Sequence, residues 1–216
     1  MDNKIKSKSA FTLAEVLITL VIIGVVAALT IPNLINKTNK EELRTGLLKA
    51  QTTLSDALKL YYSHNGYKLI SGDLEQRGLY EKIKPYFSIA KDCGYNNCIA
   101  PPNVYYRNFT DTADIPTNNF DDGQFILNNG MAVFIEDYMY RYISVDVNGY
   151  EKKPNRAGYD LFLFQIDADG NLLPMGADGT LHSASGYCSS SSNNSLNGFG
   201  CTAKALKDAN YFKNLP

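Results

Sequence analysis

Residues 11–35 read FTLAEVLITLVIIGVVAALTIPNLI, and from Val16 to Asn36 there are 21 residues without a charge. A helix of that length rises about 30 Å, the thickness of a bilayer's hydrocarbon core. The one charge near the start of the run is Glu15, and Lys4, Lys6 and Lys8 lie before it. Lysines on the N-terminal side place residues 1–10 in the cytoplasm and everything after Asn36 outside it.

The helical pattern does not stop at the end of the apolar run. Leu43, Leu47, Ala50, Leu54, Ala57, Leu58 and Tyr61 recur at three- and four-residue steps, with charged residues mostly between them. His64-Asn65-Gly66 is a stop signal. The pattern predicts one helix over about residues 12–63, its first half in the membrane and its second packed on a head. Gly24 and Pro32 are the places where it could kink.

Three kinds of segment begin in this way. A secretory signal peptide fits poorly: the run is long and passes into an amphipathic helix, with only Ala27-Ala28 as a cleavage candidate. An ordinary signal anchor leaves Glu15 unexplained, because a carboxylate at the edge of an apolar span is costly and marks function. The third kind explains it. Ala10-Phe11-Thr12-Leu13-Ala14-Glu15-Val16-Leu17 resembles the leader junction of type IV prepilins and type II secretion pseudopilins, and Gly24 and Pro32 fall at family-like spacing. The family usually has Gly where this chain has Ala10.

The resemblance implies a structural subunit. Prepilin peptidase would cut between Ala10 and Phe11, Phe11 would be N-methylated, and Glu15 would serve assembly by pairing with the new amine of a neighbouring subunit. The implied partners are that peptidase, other pilin or pseudopilin subunits in a helical filament, an inner-membrane assembly platform and membrane lipid. The implied location is the bacterial inner membrane, single-pass with the head outside, and then a periplasmic or surface filament. A minor subunit at the filament tip, binding a surface or DNA, is the alternative. The expected organisation is a leader at 1–10, a membrane and filament-core helix at 11–36, an amphipathic helix at 37–66 and a head at 67–216.

The head reads as α+β. Residues 67–100 form a connector with a short helix near Leu74–Phe87, which Pro85 should end early. From Gly123 the period changes to two. GQFILN, the turn Asn128-Asn129-Gly130 and MAVFIED make a hairpin. Further strands are expected at Tyr140–Val147, Asp160–Ile166 and Asn171–Pro174. That gives four or five strands in an antiparallel meander, with one face on the long helix. A short helix over Thr202–Asp208 closes the chain.

Four cysteines in an exported chain point to disulfides. Cys93 with Cys98 and Cys188 with Cys201 would each close a short local loop, the second around the Ser- and Asn-rich CSSSSNNSLNGFGC. A zinc site is disfavoured, since neither pair has C-x2-C spacing. Oxygen-rich stretches at Asp146, Asn148, Asn155 and Asp160, and at Asp167 and Asp169, are weak calcium candidates against a reading as turns; no other cofactor is expected. Nothing suggests catalysis. The two histidines, His64 and His182, lie in no nucleophile or metal motif, Ser189–Ser192 is a solvated run, and Asp121-Asp122 is expected to face solvent. Lys152, Lys153 and Arg156 are the only notable basic cluster of the head, and the chain's net charge is -1, so no nucleic-acid partner is expected.

Overall fold

Helix α1 runs from Leu13 to Asn65 in the computed structural model, which describes residues 11–70, 77–99, 104–137 and 141–215 and the side chains among them except at 33 and 36. The expected leader, with Ala10, and the expected helix start at Leu74 lie outside the described residues. Two compact units divide the chain, residues 1–40 and residues 41–216.

In the first unit α1 passes through Gly24 and Pro32 without interruption. Proline lacks the N–H that an interior helical turn uses, and Thr30 Oγ1 donates to the Val26 carbonyl one turn earlier (2.9 Å).

In the second unit α1 ends for a local reason. Gly66 adopts φ +75 and its N–H reaches the Tyr62 carbonyl at 2.8 Å, a left-handed cap that suits glycine. Asn65 Nδ2 adds a bond to the Tyr61 carbonyl (2.8 Å) and one to the Tyr86 hydroxyl (3.0 Å). Helix α2 spans Gly78–Ile83, and a 3-10 turn at Lys84–Tyr86 takes up Pro85 where the helix stops.

Among the described residues six strands follow in a single antiparallel sheet of order β1-β2-β3-β4-β5-β6. They are β1 Ile89–Gly94, β2 Gly123–Leu127, β3 Ala132–Glu136, β4 Tyr142–Asp146, β5 Leu161–Ile166 and β6 Leu172–Pro174. The meander is as expected, with one more strand than the four or five anticipated. β1 escapes the sequence reading because IAKDCG is an edge strand with an irregular register against β2 and little buried surface. Helix α3, Thr202–Lys207, lies in the C-terminal segment.

Alternation along the strands sorts the side chains onto two faces. Phe125, Val133, Ile135, Ile143, Val145, Phe162 and Phe164 form one cluster with Leu47, Ala50, Leu54 and Tyr61 of α1. Gly46 lets the helix approach, since a Cβ there would stand 3.0 Å from the Val147 Cβ. The other face is also covered. Ala132, Phe134, Tyr142, Leu161 and Leu163 pack with Tyr106, Ile115, Phe120 and Met175 from loops and with Phe199 from a 3-10 turn. This second layer explains two residues that alternation alone misplaces. Gln124 is fully buried and accepts the N–H groups of Cys98 (2.9 Å) and Ile99 (3.3 Å). Asp122, expected in solvent, is buried, with Arg77 Nε at 2.9 Å and the Asp137 N–H at 2.9 Å.

Candidate functional site

The N-terminal end of α1 presents apolar residues on every side. Leu17, Leu20, Val21, Ile23, Val25, Leu29 and Leu34 are all exposed, and Phe11 is 88% exposed. This stretch is long and apolar enough to cross a membrane, and none of it is buried within the chain. A surface of that kind is unstable in water and requires lipid or other helices around it.

At the head of this stretch Thr12 and Glu15 form a reciprocal cap. The Thr12 N–H and hydroxyl each reach Glu15 Oε2 at 2.8 Å, and the Glu15 N–H reaches Thr12 Oγ1 at 3.2 Å. The sequence reading treats Glu15 as a carboxylate without a partner in the free subunit; the structure gives it two donors from Thr12. Glu15 remains exposed, so a stronger cationic donor can reach it.

A family model for the prokaryotic N-terminal methylation motif matches residues 5–31. The chain carries the type IV prepilin-like signature. Behind that signature stands a pilin-like α+β arrangement, a long N-terminal helix combined with a six-stranded antiparallel sheet. No curated protein and no solved structure matches the chain.

All four cysteines are bonded, Cys93 to Cys98 and Cys188 to Cys201. The serine-rich loop closed by the second disulfide is ordered from within by one side chain. Buried Asn197 donates from Nδ2 to the carbonyls of Ser189 (2.8 Å) and Ser192 (2.8 Å), and its Oδ1 accepts the Ser189 N–H (3.0 Å).

The two oxygen-rich stretches part company in the fold. Asp167 is a turn staple: it accepts the N–H groups of Asp169 (2.9 Å) and Asn171 (2.8 Å) and the Asn171 amide (3.0 Å), and exposed Asp169 lies beside it. Asp146 and Asp160 are instead fully buried, at the end of β4 and just before β5, with Asn155 1% exposed. Burial and each other's charge push the Asp146 carboxyl up, and burial pushes Asp160 up, against the hydrogen bonds that favour their ionised forms. Tyr106 donates to Asp146 at 2.6 Å. It lies 40 residues away in sequence, and no local pattern marks it.

The basic cluster disperses. Lys152 pairs with Glu42 (3.2 Å), Lys153 is exposed, and Arg156 donates to the Phe109 carbonyl (2.6 Å). His64 meets the Tyr86 ring at 5.5 Å. His182 is buried among Tyr142, Tyr187 and Phe199, and burial pushes its imidazole down to about 4. Asp121 and Asp122, just before β2, and Glu136 at the end of β3 bring carboxylate oxygens within 4.8 Å of one another, a convergence that the sequence reading missed.

Proposed function

We propose that this chain is the structural subunit of a type II secretion pseudopilus or type IV pilus. The observation that carries the reading is a methylation-motif N-terminus on a helix long and apolar enough to cross a membrane, in a chain that also carries a disulfide-bonded head. Prepilin peptidase cuts after Ala10, and Phe11 is then N-methylated. The subunit waits in the inner membrane, single-pass with the head outside, until an assembly platform extracts it into a helical filament built around residues 11–36.

The cap at Glu15 gives assembly a physical switch. In the free subunit Thr12 holds the carboxylate with neutral donors. In the filament the charged amine of a neighbour's Phe11 replaces them. A charge-assisted bond is about twice as strong as a neutral one, and pairing removes the penalty on both ions in lipid. A position at the filament tip is the second reading; tip subunits would be scarce in sheared filaments.

The deciding experiment is N-terminal mass spectrometry on protein purified from native membranes. A chain beginning at N-methylated Phe11 supports the reading. A chain that keeps residues 1–10, or begins near Leu29, overturns it.

A further inference from the structure

A cavity of about 420 Å³ opens between β1, the β2–β3 turn and the β4–β5 loop. Pockets that hold small ligands run from about 300 to 1,000 Å³. Half-buried Ile126 and Tyr150 give it apolar surface, and exposed Lys91, Glu151 and Lys152 line it as well. Two glycine turns fix its shape. Gly130 and Gly149 have φ +88 and +85, and a Cβ on Gly149 would stand 2.5 Å from the Gly130 carbonyl oxygen. The two turns therefore lie in close contact, and that side of the cavity is set before anything binds.

The charges of the cavity are mixed. Lys152 is shared with Glu42 at 3.2 Å, an exposed pair that water weakens. Among the described residues no ion pair reaches Lys91 or Glu151. A plain anion would satisfy the two ammonium groups and be repelled by Glu151. A plain cation would do the reverse. A zwitterion with a phosphate at one end and a primary ammonium at the other answers all three charges, and its apolar end has Tyr150 and Ile126 to lie against.

The place of the cavity in the chain names the source of such a group. Glu42, which Lys152 holds, comes six residues after Asn36, where the uncharged run ends. Six residues reach at most about 20 Å however the chain bends. In a subunit held in the bilayer, the proposed function on which this inference rests, Lys152 stays near the lipid phosphates, and lysine and tyrosine side chains favour that layer.

We propose that this cavity docks the headgroup of a zwitterionic aminophospholipid of the phosphatidylethanolamine type from the extracytoplasmic leaflet. Lys91 and Lys152 take the phosphate, Glu151 takes the ammonium, and Tyr150 and Ile126 face the glycerol end. The contact holds the head against the membrane while the subunit is stored, and extraction has to break it.

The test places the full chain in nanodiscs of phosphatidylcholine alone, or of phosphatidylcholine mixed with phosphatidylethanolamine or with phosphatidylglycerol. Backbone amide exchange is followed over β1 and residues 147–153. Expected is exchange slowed about fivefold or more by phosphatidylethanolamine only. The slowing should be lost in Lys91→Ala and in Glu151→Ala and kept in Lys68→Ala, whose lysine lines a separate cavity beside Leu172. All three side chains are exposed, so none of the variants disturbs the core. Equal slowing by phosphatidylglycerol overturns the proposal in favour of a plain anion site. Slowing that survives both Lys91→Ala and Glu151→Ala overturns it as well. A second arm adds phosphorylethanolamine to the chain in detergent; protection at micromolar concentration would assign the cavity to a soluble ligand and overturn the lipid source. Co-elution with the nanodisc is read separately. A chain that does not co-elute fails the membrane reading and this proposal with it, whereas a chain that co-elutes without slowed exchange fails this proposal alone.

Discussion

Removing the Cys188–Cys201 bond should destabilise the second unit by about 1 kcal/mol more than removing Cys93–Cys98. The bonds span sequence separations of 13 and 5. Loop-closure entropy restored to the unfolded chain then comes to about 3 kcal/mol for the first and about 2 kcal/mol for the second. Burial does not separate the pairs: Cys201 is fully buried and Cys188 partly so, while Cys93 and Cys98 are both buried. The assay is urea unfolding of the full chain in mild detergent, comparing Cys188→Ala/Cys201→Ala with Cys93→Ala/Cys98→Ala and following the near-ultraviolet circular dichroism. Every Tyr, and every Phe except Phe11, lies in the second unit, so this signal reports that unit alone. Equal losses, or a larger loss for the Cys93 pair, would refute the reasoning and mean that Asn197 holds the serine-rich loop by itself.

Other perturbations test other parts of the molecule. Glu15→Gln keeps the shape of the side chain and removes its charge, so peptidase cleavage and membrane insertion should persist while sheared filaments disappear; normal filament yield would sink the pairing argument. Gly46→Val should cost about 1–3 kcal/mol in urea unfolding, because Val147 occupies the space its side chain needs. The buried neutral His182 binds a proton in the unfolded chain near pH 6.5 but in the folded chain only near pH 4. Its contribution to stability should therefore be complete above pH 6.5 and decline as pH falls toward 4. Asp146 and Asp160 act in the opposite sense, their raised values favouring the fold as they take up protons. Comparing wild type with His182→Phe across that range isolates the imidazole, and identical pH profiles for the two would show that it does not titrate as described.

The helix and most of the meander are legible locally. An uncharged 21-residue run, a three-and-four spacing from Leu43 to Tyr61 and turn residues at Asn128–Gly130 each fix their element through contacts within a few residues. The methylation signature is legible for the same reason, since it is one contiguous run of residues. Legibility ends where partners are distant. β1 became a strand only because β2 offered it a ladder, and Asp122 and Gln124 became interior residues only because loops covered the second face of the sheet. Spacing alone could not separate Asp167, a solvated turn staple, from Asp146 and Asp160, which a distant tyrosine and a covering loop take out of water. The sequence by itself determined the long apolar helix, its signature and the alternation of the strands, because these depend on neighbours along the chain. Which polar groups are desolvated, and so which titrate away from their ordinary range, was decided by tertiary packing, because burial is a property of the whole fold.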